Sequence, residues 1–250
     1  MSATVDKFTL QDSQYSFPYH YLPHFDRHNN PRLGRSLSWG VEYLTYMSAV
    51  LDEVERLPAS TILDVGCGDG WLLNHLSRND IVKHGIDISS RAIAFACAFA
   101  VDAHFEVQDL SALSSTYGIV CLTEVLEHIP DVEIVNFVAL AKALVESGGY
   151  LVLSVPTTVR RLNPKHHRHY DEALLDRHFG GLKDWALIVD KRVYGISIRS
   201  MIVQRLLHNR IWTINAGILW RIFWRWHVRH NFRSDRKHGA HIVRVYRRVS

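Results

Sequence analysis

The chain has little from which a stapled or secreted fold could be built. Its 250 residues include three cysteines, Cys67, Cys97 and Cys121, none paired at metal-ligand spacing. Neither a disulfide framework nor a cysteine-based zinc site is therefore indicated. The opening residues MSATVDKFTL lack an apolar run behind a basic start, so no secretory leader is read there and a reduced, cytoplasmic compartment is expected. No window reaches about 18 uncharged apolar residues, which argues against a spanning helix. Internal repeats and low-complexity tracts are also missing.

A further scarcity is local. Residues 191–250 contain one acid, Asp235, against 14 Lys and Arg, whereas residues 1–190 carry 24 acids against 15 bases. The net charge of +4 therefore conceals an acidic body and a basic C-terminal quarter. That division suits an anionic partner approaching from one end. The 47% hydrophobic content is sufficient for one globular domain with a full core.

Residues 1–57 read as an N-terminal aromatic arm followed by a helix. The arm, with Tyr15, Phe17, Tyr19 and His20, has no clean periodicity and is expected either to lie over a site as a lid or to pack as a tail. Helical spacing begins near residue 38 and ends before Pro58. Residues 58–250 form the main domain, in which strands and helices alternate. Strands are predicted at Thr61–Val65, Val82–Ile88, His104–Gln108, Gly118–Thr123, Tyr150–Val155, Trp185–Val189 and His241–Val249. Helices are predicted from Trp71, from Ser89 or Ser90 to Ala100, and over Val132–Val145, the last stopped by Gly148-Gly149 as a C-cap. Such alternation argues for a mostly parallel sheet covered on both faces.

The first chemically informative segment is Asp64-Val65-Gly66-Cys67-Gly68-Asp69-Gly70-Trp71. Strand, alternating glycines and helix make a nucleotide-cofactor turn, in which glycine permits close backbone approach and positive φ. A dinucleotide turn favours G-x-G-x-x-G. Here the pattern is G-x-G-x-G, and Asp64 two residues earlier would repel a pyrophosphate but suit a ligand carrying an ammonium and a sulfonium. Asp87 at the end of the second strand can accept hydrogen bonds from ribose hydroxyls. Asp109 after the third strand is placed to meet an adenine amino group.

These residues resemble the class I S-adenosylmethionine-dependent methyltransferases, over roughly residues 60–156. The resemblance implies a Rossmann-like α/β fold with a seven-stranded, mostly parallel sheet and helices on both faces. It also implies S-adenosylmethionine as methyl donor and a cofactor site at Asp64, Gly66, Cys67, Gly68, Asp87, Ile88, Asp109, Leu110 and Thr123.

The fourth strand runs into Glu124-Val125-Leu126-Glu127-His128. With a helical turn from Thr123, Glu124, Glu127 and His128 would share one face. A second cluster, His166-His167-Arg168-His169-Tyr170, follows the fifth strand. Glu124, Glu127, His128 and His166 form either a divalent-metal site or an acid/base group that deprotonates an acceptor hydroxyl, unless they serve structure alone. Small-RNA 3′-end 2′-O-methyltransferases have a similar Glu-x-x-Glu-His turn and a later His, which hold Mg²⁺. Ubiquinone-biosynthesis O-methyltransferases share the turn and methylate a catechol-like hydroxyl, and a glycan- and lipid-modifying branch has both clusters. The implied acceptor is a small molecule, a sugar or a lipid-linked molecule, with RNA as an alternative. A catalytically silent S-adenosylmethionine-binding or membrane-scaffold protein stands as a reading of another class.

The basic quarter contains a Trp/Arg-rich insert at about residues 195–238. Arg221, Arg225 and Arg229 would form one stripe of a helix, with Leu219, Ile222, Phe223 and Trp226 opposite. Three uses remain open: a helix packed on the domain or a second copy, an RNA surface, and peripheral contact with an anionic membrane on its inner face.

Overall fold

The computed structural model describes residues 7–12, 23–25, 31–33, 37–100, 102–179, 184–209, 211–214 and 216–249. Tyr15, Phe17, Tyr19 and His20 of the expected lid lie outside them. The N-terminal elements are α1 (Lys7–Asp12), the hairpin β1 (Pro23–Phe25) and β2 (Pro31–Leu33), and helix α2 (Leu37–Val54).

The domain core follows as β3 (Thr61–Val65), α3 (Trp71–His75), β4 (Val82–Asp87), α4 (Ser90–Phe99), β5 (His104–Val107) and β6 (Tyr117–Thr123). Helix α5 (Ile134–Ala143), β7 (Val145–Pro156), α6 (Glu172–Phe179) and β8 (Trp185–Gly195) come next. The insert contributes α7 (Ile198–Leu207), α8 (Gly217–His230) and β9 (Arg233–Ser234), before β10 (Gly239–Arg248) closes the order.

The large sheet has the order β5-β4-β3-β6-β7-β10-β8-β9. Strands β3 to β7 are mutually parallel, and β10 is antiparallel to both β7 and β8. Eight strands thus replace the expected seven. The extra one is the two-residue β9, which pairs with β8 where the insert returns to the sheet.

Both faces of the sheet are apolar because each central strand alternates between two cores. Ile62, Cys121 and Val152 pack with Val50, Leu72, Leu73 and Ala96 under α2, α3 and α4. Leu63, Leu122 and Leu153 pack with Ile134, Val138, Leu175 and Phe179 under α5 and α6. This two-sided burial explains the nearly continuous apolar runs in the sequence.

Two local expectations are corrected. Helix α5 ends at Ala143, and Gly148-Gly149 lies inside β7. The ladder to β6 shifts register there: Val145 pairs with Tyr117, but Tyr150 pairs with Ile119. Gly148 has φ 77°, and a Cβ on Gly149 would stand 2.8 Å from the Gly118 carbonyl. The glycines accommodate a bulge, not a helix end. The helical turn expected from Thr123 starts later, at Leu126–His128, because Glu124 has φ 56° and cannot continue a right-handed helix.

Strand order reverses direction around β3, with β4 and β5 on one side and β6 and β7 on the other. Ligands of open α/β sheets bind at the carboxyl ends of strands flanking such a switch.

Candidate active site

A cleft of about 1030 Å³ opens at those strand ends. The glycine turn after β3 forms one end, with Asp64, Gly66, Cys67, Gly68 and Asp69. The turn after β6 and the loop after β7 form the other, with Thr123, Glu124, Glu127, His128, His166 and His169. Helix α2 supplies the side wall through Glu42, Tyr43, Tyr46 and Met47. The volume is just above the ~300–1,000 Å³ typical of small-molecule sites.

Gly66, Gly68 and Gly70 all adopt positive φ, so the turn after β3 could not be made with ordinary side chains at these positions. The amides of Gly66 and Cys67 both donate to the Ile86 carbonyl, tying the turn to β4. The Asp87 carboxylate accepts from the Gly68 amide at 3.0 Å and the Ser89 amide at 2.8 Å, which holds it at the end of β4. Burial, opposed by these amides, raises its pKa.

Asp64 is buried, and its Oδ1 has no hydrogen-bond partner among the described residues. Burial, reinforced by Asp87 and Asp69, pushes its pKa up to about 8. Thr123 Oγ1 and Glu127 Oε2 are likewise buried and unpartnered. All three residues line the same cleft. Unsatisfied buried polar atoms are uncommon in proteins and call for an explanation such as a ligand.

The remaining expected cofactor residues are placed differently. Asp109 is exposed, and its Oδ1 accepts from the Ser111 amide to cap the short helix Leu110–Ala112. Leu110 is buried in the core beneath α5, and the Ile88 side chain is exposed. These three stand outside the cleft wall formed by the described residues, and Asp87 reaches it only through the Gly68 amide.

At the other end, two clusters separated by some 40 residues in sequence meet. The His167 amide donates to the Glu127 carbonyl at 2.7 Å, and Arg168 Nη1 donates to the Leu126 carbonyl at 2.7 Å. These bonds seat His166 against His128, with ring centroids 4.7 Å apart in edge-to-face geometry. His166 Nδ1 shares a 2.9 Å hydrogen bond with His169 Nε2. Burial is the main cause that drives His128 down to about 4 and His166 down to about 3, so both imidazoles are neutral at pH 7. Glu127 is fully buried, and burial together with Glu124 raises its pKa.

Glu127, His128 and His166 each offer a ligand atom within 4.8 Å of the others. Glu124 is not a member of that group. Its Oε2 lies 3.1 Å from His241 Nδ1, and its Oε1 accepts from Ser154 Oγ at 2.8 Å. The four-residue set expected from sequence is thus divided into a three-residue cluster and a carboxylate engaged by an imidazole.

His241, Glu42 and Tyr46 are cleft residues that sequence reasoning missed. His241 Nε2 lies 3.1 Å from Glu42 Oε1, Glu42 also pairs with Arg160, and Tyr46 packs on the His241 ring. No local motif marks them, since they lie on α2 and β10, at opposite ends of the sequence. A buried histidine at the start of a strand was the one signal available.

Helix α1 spans the rim of the cleft. Lys7 Nζ donates to the His166 carbonyl, while Asp12 accepts from Ser89 Oγ and pairs with Arg91. It connects the loop after β7 to the end of β4.

A family model described as a methyltransferase domain matches residues 42–199. The ubiquinone biosynthesis O-methyltransferase of Coxiella burnetii is 30% identical over 111 residues, 42% of this chain and 47% of that protein. The enzyme of that name from Vibrio parahaemolyticus is 28% identical over 116 residues, 43% of this chain and 48% of that protein. The chain spans about half the length of these curated relatives. Among solved structures, magnesium protoporphyrin IX methyltransferase from Synechocystis aligns with a TM-score of 0.59 at 17% identity, covering 99% of both chains. The N-methyltransferase NodS from Bradyrhizobium japonicum aligns with a TM-score of 0.55 at 14% identity, covering 85% of this chain and 98% of that one. At such identities the likeness concerns the fold.

Proposed function

The chain belongs to the methyltransferase-domain family, and we propose that it moves a methyl group from S-adenosylmethionine to a hydroxyl oxygen of a small-molecule acceptor. The observation that carries this reading is the run of unpartnered polar atoms along one cleft, from Asp64 Oδ1 through Thr123 Oγ1 to Glu127 Oε2. A buried carboxyl facing the glycine turn fits an ammonium or sulfonium, which would lower its pKa and draw it into the ionised form. Asp87, held by two amides, retains lone pairs for a diol.

S-adenosylmethionine supplies an electrophilic methyl carbon when bound. The chain's own work is then to orient the acceptor and remove its proton. His128 and His166 are neutral, so either could take the proton from an acceptor hydroxyl placed against it as the methyl group is transferred. Glu127 Oε1 stands 4.0 Å from His128 Nε2, and a positive charge on that ring would draw the buried carboxyl toward its ionised form. His169 offers an onward path for the proton from His166. The ubiquinone-biosynthesis relatives act, by name, as O-methyltransferases, which agrees with an oxygen acceptor. An acceptor carried on a lipid fits within this reading, because the insert beside α2 is both basic and apolar on its outer side.

A second reading keeps the reaction but adds a divalent ion held by Glu127, His128 and His166, as the spacing of their ligand atoms permits. RNA ribose hydroxyls would then be the acceptor to try first.

Calorimetry with S-adenosylhomocysteine tests donor binding, and Asp87→Ala should weaken it strongly; unchanged affinity in the variant sinks the assignment. Mass spectrometry of a cell extract incubated with labelled donor identifies the methylated product. Donor binding with no labelled product would leave a silent binding protein. Activity surviving EDTA removes the metal reading, whereas loss restored by Mg²⁺ establishes it.

A further inference from the structure

Helix α7 buries two polar side chains beside Val203 and Leu207 and leaves four apolar ones exposed. Its polar residues Ser200 and Gln204 are buried, with Gln204 Nε2 donating to Ser200 Oγ at 3.0 Å. Its apolar residues Ile198, Met201, Ile202 and Leu206 face outward, and Ile198 is 77% exposed. Spacing of three and four residues places them on one stripe. Water would select the reverse arrangement.

Exposed apolar side chains recur in the turn that follows and in α8. Ile211 is 84% and Ile218 68% exposed, and Ile222 also points outward. Helix α8 is firmly seated beneath them. Phe223 and His227 are buried, and His227 Nε2 lies 2.9 Å from Thr45 Oγ1 on α2. The core face is therefore Trp220, Phe223, Trp224, Trp226 and His227: of the side expected opposite the arginines, Phe223 and Trp226 pack inward, whereas Leu219 and Ile222 are exposed with Arg225 and Arg229.

We propose that this outer face of the α7–α8 insert docks onto an anionic lipid bilayer. The exposed apolar side chains enter the acyl boundary, and Arg199, Arg205, Arg221, Arg225 and Arg229 meet the phosphates around them. No acid occurs between Asp190 and Asp235, so nothing within the insert neutralises these arginines. That absence also argues against a second copy as occupant. A two-fold dimer through this face would set one arginine group against its own duplicate. Among the described residues no helix is long and apolar enough to cross a membrane, so the contact is peripheral.

Docking bears on the cleft through α2. That helix turns Val41 and Thr45 toward the insert and Glu42, Tyr43, Tyr46 and Met47 toward the cleft. A docked insert holds the cleft one helix away from lipid, which selects an acceptor hydroxyl borne on an amphiphile. This last step rests on the methyl-transfer reading, whereas docking does not.

The test is flotation of the full chain with vesicles of phosphatidylcholine, with or without one third phosphatidylglycerol, at physiological ionic strength. The chain should float only with the anionic vesicles. Reversing Arg221, Arg225 and Arg229 to Glu should lower binding about tenfold or more, and Ile211→Glu with Ile218→Glu should do the same. Unchanged thermal unfolding by circular dichroism certifies that both variants are folded. Absence of flotation, or equal flotation of the folded variants, overturns the proposal. So does a dimer in sedimentation that Ile211→Glu with Ile218→Glu dissolves, or retention of a single-stranded RNA in place of vesicles. If wild-type protein floats but does not bind S-adenosylhomocysteine, the methyl-transfer reading fails and the docking surface stands.

Discussion

His241 Nδ1 lies 3.1 Å from Glu124 Oε2, so the antiparallel strand β10 supplies the cation for the carboxylate at the end of β6. Glu42 of α2 flanks the imidazole from the other side at 3.1 Å. Burial opposes a charge on His241, yet the two carboxylates outweigh it and hold its pKa up at about 10. The pairing joins three distant segments and offsets the left-handed backbone at Glu124.

His241→Gln should therefore cost about 1–3 kcal/mol, because it leaves the half-buried Glu124 carboxylate without its cation while Glu42 keeps Arg160. Urea denaturation measures this. The native pKa exceeds the unfolded value near 6.5, so the native chain binds more protons between pH 6.5 and about 10. The His241 contribution is complete below that window and is lost as pH rises through it. Thermal unfolding should show the alkaline decline in the native chain and a flatter profile in the variant.

Asp64 makes a prediction of the same sign with a different consequence. Its pKa of about 8 means that ionisation is disfavoured in the folded chain, so its effect on stability worsens as pH rises from about 4 to 8. A cationic donor reverses that preference. Binding S-adenosylmethionine below pH 8 should release a proton, detected by calorimetry in buffers of different ionisation enthalpy. Asp64→Asn should remain folded, abolish the proton release and weaken the donor. An unchanged proton count in the variant refutes the role of Asp64.

Gly66→Ala tests the glycine turn. A Cβ there would stand 2.7 Å from Val125 Cγ2, and the backbone has φ 68°. The strain should cost about 1–3 kcal/mol in denaturant unfolding. Because Val125 sits between Glu124 and the helical turn at Leu126, the displacement should also disturb the acceptor end of the cleft, seen as a larger loss in kcat than in donor affinity.

The His128–His166 pair should set the acid limb of activity. Both pKa values lie below neutrality, so the rate should be level from pH 5 to 8 and decline only as the pair protonates near 4 and 3. His128→Ala should lower kcat by about 10²–10⁴ if it takes the proton. Depressed histidines favour the folded state above their unfolded pKa, so stability gained between about pH 3 and 6.5 should shrink in the variant. A variant with wild-type kcat and an unchanged acid limb transfers the role to His166.

Local chemistry was legible wherever it was continuous in sequence. Alternation of apolar strands with helices specified a two-sided parallel sheet, because β3, β6 and β7 must bury side chains on both faces. The glycine turn and Asp64 were readable since positive φ and a carboxylate next to it belong to one short segment. Tertiary structure decided the rest. It brought β10 against β7, which carries His241 across to Glu124, and it broke the expected Glu124–Glu127–His128 face through one left-handed residue. It also decided which side of the insert is core. Periodicity reports that α7 and α8 have faces, but which face meets water depends on what α2 and the sheet present to them.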